Sequence, residues 1–208
     1  MSDIRVKGVE NKNELKQFIK FAWKVNLSDH NWVPPLISDR LKVLDKQKNP
    51  LALLNAIKGL DIELIMVGSG PLGGLLQKKA KVENLPVRFL GNVPHGQLPE
   101  ILNSASLFVL PSHYEGHPKT MLEAMACGLP VIGTDVPGIR ELIEHRETGY
   151  LCGTTVEEIR SAIEEVTEDP DLCFRLGRKA REFVVDTCSL ERVAKMELCM
   201  LQETVKGE

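Results

Sequence analysis

Two glutamates, Glu115 and Glu123, are separated by seven residues, GHPKTML, in a segment rich in Gly, Pro and small side chains. A strand expected over 106–110 ends in the loop that holds Glu115. Pro118 suits the first turn of the next helix, and Glu123 then lies within that helix. The two carboxylates can therefore address two parts of one ligand that lies across the helix N-terminus.

The start of this helix suits a diphosphate. Free backbone amides such as those of Lys119 and Thr120 would donate hydrogen bonds to it, and the helix dipole favours its charge. The carboxylate within the helix can accept bonds from two ribose hydroxyls, whereas the carboxylate in the loop can accept from hydroxyls of a sugar beyond the phosphate. A bare pair of glutamates at this spacing usually lies on a solvated helix face, but the surrounding Gly and Pro residues favour a nucleotide-sugar site.

From about residue 60 onward, short β-branched runs alternate with amphipathic stretches. This order is typical of a parallel sheet with helices on both faces, so we predict an α/β, Rossmann-like domain. The predicted strands, whose apolar runs suit burial on both sides, are 62–68, 87–91, 106–111 and 130–134. Predicted helices are PLGGLLQKKAKVEN, GQLPEILNSA, PKTMLEAMACG and GIRELIE, then GTTVEEIRSAIEEV, DLCFRLGRKAREFVV and SLERVAKMELCMLQETV.

The block PSHYEGHPKTMLEAMACGLPVIGT at 111–134 closely resembles the donor domain of retaining glycosyltransferase family 4, the group 1 glycosyltransferases, which carries E-x7-E in a PSxxEGxPxxxLEAMAxGxPVI setting. The resemblance runs from about Lys48 to the C-terminus and takes in VGSGPL, VRFLGNV, PGIRELI and TGYL. It implies one half of a GT-B fold. It also implies transfer of a hexosyl group from a nucleoside diphosphate sugar to a hydroxyl acceptor, with retention of anomeric configuration.

The resemblance further implies the roles of individual residues. Glu115 is expected to contact the donor sugar as the catalytic residue, and Glu123 to bind the ribose. The base is expected to rest against backbone between Phe89 and Val93. The nucleotide-sugar-binding set is therefore Lys48, Gly68, Leu90, Val93, Lys119, Thr120 and Glu123. These residues require no metal or other cofactor, and the nucleoside diphosphate sugar is the donor substrate.

One cationic contact of the family's phosphate site is expected to be lost. The family's donor domain opens with a strand that ends in a GRLxxxKG-like turn, whose Arg and Lys flank the diphosphate. The corresponding run here is VLDKQKNP, in which Lys48 stands at the Lys position and the Arg position falls on Val43. Losing such a charge-assisted hydrogen bond typically costs ~1.5 to 3 kcal/mol. Arg40 is the residue that could compensate.

Residues 1–42 follow a different plan, with the amphipathic helix NELKQFIKFAWKV and then the Pro-rich stretch DHNWVPPLISDR. This opening resembles the start of a group of proteins related to the GNAT acyltransferases, and that resemblance ends near Pro50. GT-B enzymes have a second, N-terminal Rossmann-like domain that supplies the acceptor site, and these residues are too few for it. We therefore predict two parts, 1–42 and 43–208, with the donor-binding domain alone present.

Three function classes follow from this organisation. The first is a retaining glycosyltransferase represented by its donor-binding domain, and the second is an inactive nucleotide-sugar-binding fragment or gene fusion. An acyltransferase is the third, and it would need a coenzyme A pyrophosphate loop that the sequence does not show. The acceptor is unknown, and a glycan or a lipid-linked sugar would fit the family.

Three further patterns suggest chemistry but favour structural roles. GSGPLG at 68–73 matches a dinucleotide fingerprint, but no acid ends the following strand, so we interpret its glycines as a tight turn near the cleft. Asp169-Pro170-Asp171 resembles a metal-binding D-x-D pair, but it lies between two helices, where Asp and Pro cap the second one. His113 and His117 would align for zinc only on a continuous helix, which Gly116 and Pro118 disfavour.

Composition excludes several other classes. The 208 residues are 43% hydrophobic and 26% charged with a net charge of −3, which is ordinary for a globular protein and gives no basic field for nucleic acid or an anionic membrane. The five cysteines form no CxxC pair, so the sequence has neither a zinc-ligand spacing nor a redox motif. No apolar run approaches the ~18 residues of a membrane span, and the first residues lack a signal-peptide core. We therefore expect a cytoplasmic protein with no nucleic-acid partner and no integral membrane segment.

Overall fold

The computed structural model describes residues 48–206, with side chains described through Gln202. The chain divides between Gln47 and Lys48 into two units, of which the second is described below. The helix and Pro-rich stretch predicted for 1–42, and the positions of Arg40 and Val43, lie outside the described residues.

Five strands form the sheets of this unit, and every strand pairing is parallel. β1 pairs with β2, and β3, β4 and β5 form a second sheet in that order. The strands are β1 (Leu64–Val67), β2 (Val87–Gly91), β3 (Phe108–Leu110), β4 (Val131–Thr134) and β5 (Tyr150–Cys152). The four predicted strands are confirmed within a few residues. β5, which begins within TGYL, was not predicted as a strand.

Helices connect the strands, as parallel pairing requires. They are α1 (Pro50–Ala56), α2 (Gly73–Val82), α3 (Leu98–Asn103), α4 (Lys119–Ala126), α5 (Pro137–Arg140), α6 (Val156–Glu168), α7 (Pro170–Cys188) and α8 (Leu190–Lys206). A single 3₁₀ turn, His95–Gln97, precedes α3. The predicted α/β, Rossmann-like class is therefore confirmed for the described residues.

Two helices differ from the sequence prediction. α1 was not predicted, although Pro50 at its first position is a common helix start. α5 ends at Arg140, so it is shorter than the GIRELIE helix expected from periodicity. The Ile143 amide still bonds to the Ile139 carbonyl, after which the chain turns through the His145–Gly149 bridge into β5.

β4 is the most deeply buried strand, since all four of its residues are buried. A Cβ at Gly133 would lie 2.5 Å from Ile139 Cγ2 and 2.8 Å from Met121 Cε. Glycine at this position therefore lets α4 and α5 pack directly on the strand. β2 differs, because Arg88 and Leu90 alternate outward along it. Burial on both sides thus holds for β4 and not for β2.

The closing helices are fixed by caps and by close packing. Thr155 and Glu158 form a capping box at the start of α6, and the Asp169 carboxylate accepts from the Leu172 amide at 2.9 Å at the start of α7. The capping interpretation of Asp169-Pro170-Asp171 is therefore confirmed. A Cβ at Gly177 would lie 2.3 Å from the Gly128 carbonyl oxygen, so α7 approaches the end of α4 closely.

Within residues 48–206, none of the helices has both the length and the hydropathy needed to span a bilayer.

Candidate functional site

The candidate site lies where β3 ends and α4 begins, at the carboxyl end of the parallel strands, where α/β sheets bind ligands. The backbone of Lys48 pairs with that of Ser112 in an isolated antiparallel bridge. Ser112 is fully buried, whereas Lys48 is exposed. The bridge therefore holds the Lys48 backbone beside the residue that follows β3 and leaves its ammonium group in solvent.

A buried hydroxyl fixes the Glu115 carboxylate. The Ser112 hydroxyl donates to Glu115 Oε1 over 2.7 Å, and the Ser112 carbonyl accepts a hydrogen bond from the Thr134 hydroxyl. Thr134 is the last residue of β4 and is fully buried. Glu115 itself is partly exposed. In the part of the chain that the structure describes, Oε1 is the atom of this carboxylate with a hydrogen-bond partner, so Oε2 remains free to accept from a ligand.

A glycine in α5 allows the Glu115 loop to pack closely. A Cβ at Gly138 would lie 2.3 Å from the Glu115 carbonyl oxygen and 2.5 Å from that of Gly116. Both neighbours are backbone atoms, which cannot rotate away as a side chain can. The loop that carries Glu115 can therefore keep this position only while residue 138 has no side chain.

The N-terminus of α4 presents unpaired amides. Pro118, expected in the first turn, is instead the N-cap, and the helix begins at Lys119. This one-residue difference is within the usual scatter of helix ends. Lys119 and Thr120 are both exposed, and neither backbone amide has a hydrogen-bond partner among residues 48–206. These amides are therefore available to an anion at the positive end of the helix dipole.

Glu123 lies in α4 with its side chain 33% exposed. His95 Nε2 is 3.2 Å from Glu123 Oε1, and the His95 side chain is 83% exposed. Since His95 belongs to the turn that follows β2, this contact joins α4 to the end of β2. Glu123 Oε2 has no described partner, so the carboxylate can accept further hydrogen bonds.

The carboxyl ends of β1 and β2 are connected to each other by hydrogen bonds. The segments 68–73 and 90–93 at these ends are called the rim below. Gly68 has a φ of 110°, which favours glycine, and its amide donates to the Gly91 carbonyl over 2.7 Å. The Ser69 hydroxyl donates to Asn92 Oδ1 over 2.8 Å. A further backbone bond, Gly73 to Gly70, closes a turn within GSGPLG, in agreement with its interpretation as a tight turn.

The predicted base-binding residues follow the same rim. Leu90 is 36% exposed, and Val93 is partly exposed two residues before the turn that carries His95. The described contacts thus link Glu123 to the segment after β2 and, separately, link Glu115 through Ser112 to the backbone of Lys48. No hydrogen bond or ion pair within residues 48–206 joins Glu115 directly to Glu123.

Sequence reasoning missed four residues that support the two glutamates: His95, Ser112, Thr134 and Gly138. Ser112 lies in the same motif as Glu115, and Thr134 ends a predicted strand, so their proximity to the site could have been expected from the parallel topology. The sequence gave no comparable sign that His95 contacts Glu123 or that Gly138 lies against the Glu115 loop.

Two other reactive groups near the sheet, Asp135 and Cys152, have shifted pKa values. The Asp135 carboxylate contacts Arg140 Nε at 2.5 Å, and this guanidinium holds the pKa of Asp135 below its usual range. Burial raises the pKa of the Cys152 thiol to about 12, so it is protonated at neutral pH and a poor nucleophile. His113 and His117 lie in the exposed loop before α4, outside any helix.

A comparison with models of protein families identifies the family of this chain. The model described as glycosyl transferases group 1 matches residues 37–183. The chain belongs to the group 1 glycosyltransferases. The family resemblance of the E-x7-E block is thereby confirmed, and the site built by β3, β4 and α4 lies inside the matched range.

Relatives of this group 1 domain are longer proteins. N-acetyl-alpha-D-glucosaminyl L-malate synthase from Bacillus anthracis is 35% identical over 159 residues, which cover 76% of this chain and 42% of that protein. Sucrose-phosphate synthase from Thermosynechococcus elongatus has a TM-score of 0.70 at 28% identity, over 79% of this chain and 44% of that one. Anabaena HepE, solved with UDP and glucose, has a TM-score of 0.69 at 22% identity, over 76% and 45%.

These structural similarities identify the fold of the described domain. The described domain has the architecture found in GT-B glycosyltransferases, as the family resemblance implied. The chain spans less than half of the length of each of these relatives.

Proposed function

We propose that the domain described here binds the donor of a hexosyl transfer, a nucleoside diphosphate sugar, and that the parent reaction retains the anomeric configuration. The observation that carries the proposal is the pair of glutamates on either side of the unpaired α4 amides. Among residues 48–206, each glutamate has one carboxylate oxygen paired with a protein hydroxyl or imidazole and the other without a partner.

The ligand would lie across the start of α4. Its diphosphate would accept hydrogen bonds from the amides of Lys119 and Thr120, and Lys48 would supply a positive charge. Because the two amides and Lys48 can stabilise the negative charge of the diphosphate, we propose that donor binding needs no metal ion or other cofactor. Charge compensation by Lys48 is weaker than in the family pattern, since Val43 stands at the position of the second cation.

The two glutamates would read the two ends of the ligand. Glu123 would accept hydrogen bonds from the ribose hydroxyls. The base would lie against the rim at Leu90 and Val93, close to Gly68. Glu115 would accept from hydroxyls of the hexose and act as the catalytic residue. HepE was solved in complex with UDP and glucose, so a protein of this fold holds a nucleoside diphosphate and a hexose, the two parts of such a donor.

We also propose that the 208-residue chain binds the donor without transferring it to an acceptor. The match covers 42% of the Bacillus anthracis relative, and orienting an acceptor hydroxyl against the anomeric carbon can contribute roughly 7 to 11 kcal/mol to catalysis. A donor domain by itself does not supply that orientation, so slow hydrolysis is the expected limit. The acceptor of the whole enzyme, a glycan or a lipid-linked sugar, would be bound by a partner domain.

The residues before this domain enter the proposal only as a separate part. We propose that residues 1–42 take no part in donor binding and that the sequence joins them to the glycosyltransferase domain as a fusion. A catalytically inactive nucleotide-sugar-binding protein is the second function that fits, because its donor site would be the same.

Calorimetric titration with UDP-glucose, UDP-N-acetylglucosamine, GDP-mannose and ADP-glucose tests donor binding, and each binder is then assayed for hydrolysis and for transfer to added acceptors. We expect saturable binding of at least one donor, abolished for that donor by the double variant Glu115→Ala/Glu123→Ala, and little or no transfer. Failure of every donor to bind would contradict the binding proposal. Robust transfer by the purified chain would contradict the donor-only proposal while leaving the binding proposal intact.

A further inference from the structure

We propose that Ser112, itself held by Thr134, is the positioning residue that aims the Glu115 carboxylate at the hexose of the donor. The inference rests on the proposed function, because it assumes that Glu115 meets the sugar. It adds a specific cause for the orientation of Glu115, namely a buried hydroxyl that is itself held by the last residue of β4.

Ser112 is held at both its backbone and its side chain. Its carbonyl accepts from the buried Thr134 hydroxyl, its backbone bridges to Lys48, and its hydroxyl donates to Glu115 Oε1 over 2.7 Å. Both Ser112 and Thr134 are 0% exposed. Because a buried hydroxyl without a hydrogen bond is energetically costly, the bond from the Ser112 hydroxyl to Glu115 is strongly favoured.

This arrangement determines which oxygen of Glu115 is offered to a ligand. A glutamate side chain on a loop loses considerable rotamer freedom when it is fixed. Because the bond from Ser112 fixes Glu115 when the protein folds, this entropy is not lost again when a ligand binds. Oε1 is bound inward, so Oε2 is directed away from Ser112 and remains available. The serine hydroxyl is neutral, and it fixes the carboxylate without neutralising the charge that must accept bonds from sugar hydroxyls.

A purely structural role for Ser112 makes a different prediction from a positioning role. If the hydroxyl only stabilised the loop, its loss would disturb Lys48 and the start of α4 as well, and binding of the free nucleotide would weaken together with binding of the nucleotide sugar. A positioning role affects the hexose contact alone. The measured quantity is therefore the hexose increment, the ratio of the Kd of the free nucleoside diphosphate to that of its hexose conjugate.

The experiment compares UDP with UDP-glucose, GDP with GDP-mannose, and ADP with ADP-glucose by calorimetry, and uses the pair that binds the wild type. The variants are Ser112→Ala and Thr134→Val, with Thr134→Ser as the conservative rescue. Ser104→Ala is the matched control, because the exposed Ser104 hydroxyl also makes a 2.7 Å hydrogen bond, to the Ile101 carbonyl, at the end of α3.

We expect Ser112→Ala to reduce the hexose increment about 3- to 10-fold, the effect of one lost hydrogen bond, with the Kd of the free nucleotide unchanged within about two-fold. Thr134→Val should reduce it in the same direction by less, and Thr134→Ser should restore it. In the Glu115→Ala background, adding Ser112→Ala should cause no further loss. Ser104→Ala should have no effect on either ligand.

Equal weakening of nucleotide and nucleotide sugar by Ser112→Ala, or additive losses in the double variant, would overturn the positioning role. If Ser112→Ala does not fold, as judged by thermal denaturation, Thr134→Val decides the question by the same ratio. Failure of the proposed function has a different signature: either no nucleotide sugar binds the wild type, or Glu115→Ala itself leaves the hexose increment unchanged.

Discussion

Glu115 and Glu123 lie on either side of the same helix start, but their surroundings are opposite in kind. Glu115 is bound by a fully buried, neutral hydroxyl, and its loop rests on a glycine of α5. Glu123 contacts an imidazole that is 83% exposed. The packing of the fold therefore orients Glu115, whereas Glu123 is positioned by its own helix and by a largely exposed partner.

The comparison shows how a single site can be partly rigid and partly adaptable. Orienting Glu115 requires β3, β4 and α5 to be in place, so perturbing that side should affect both stability and recognition. Perturbing the Glu123 side should change affinity while leaving the fold intact.

The largest effect is expected from Gly138→Ala, because its Cβ would lie 2.3 Å from the Glu115 carbonyl oxygen. Relieving this overlap should cost about 1 to 3 kcal/mol of the free energy of unfolding and displace the Glu115 loop. Denaturant unfolding and nucleotide-sugar titration measure the two consequences. Gly74→Ala is the control, since a Cβ at Gly74 in α2 meets no atom within 4 Å and should stabilise slightly. Equal stability of the two variants would show that the loop is not confined by α5.

Lys48→Ala should have an intermediate effect that depends on salt. The side chain of Lys48 is exposed, so its attraction to a diphosphate is screened as ionic strength rises. We expect about 3- to 10-fold weaker nucleotide binding at low salt and a smaller difference at high salt, measured by calorimetry. Lys78→Ala, an exposed lysine on α2, is the control. A loss that persists at high salt would indicate damage to the bridge with Ser112 rather than loss of charge.

The smallest effect is expected from His95→Ala, which removes the exposed partner of Glu123. Exposed pairs of this kind contribute little, so nucleotide binding should weaken only about two- to five-fold, with the unfolding midpoint unchanged. His95→Gln should recover part of the loss, because its amide can also donate. His113→Ala, in the exposed loop before α4, should leave affinity unaltered. A large change in stability on His95→Ala would mean that the two glutamates are supported alike.

Much of the fold followed from periodicity. β-branched runs and helical spacing placed four of the five strands, the parallel class and the caps at Asp169 and Pro170, because local residue types and burial agree there. β5 was missed because TGYL is short and follows a turn rather than a clear strand signal. α5 was predicted too long, since Ile139 and Ile143 have helical spacing even though the helix ends between them.

The residues expected to contact the ligand could be proposed from the sequence, but the residues that support them could not. The spacing of the two glutamates and the start of α4 predicted Glu115, Glu123 and the amides of Lys119 and Thr120 as ligand contacts, and the family resemblance added the others. The contacts that orient them, such as Thr134 to Ser112 and His95 to Glu123, join residues 22 and 28 positions apart. The predicted parallel topology brings the ends of β3 and β4 together, but residue types alone do not specify which side chains form hydrogen bonds there.

The most direct test of the donor-site assignment is a calorimetric titration of one nucleoside diphosphate and its sugar conjugate into wild type, Glu115→Ala and Glu123→Ala. We predict that Glu123→Ala weakens the free nucleoside diphosphate about 10-fold or more, as expected for a charged hydrogen-bond partner, and that Glu115→Ala leaves it nearly unchanged but removes most of the hexose increment. If the wild type binds the nucleotide and Glu123→Ala binds it equally well, the placement of the ribose on α4 is wrong.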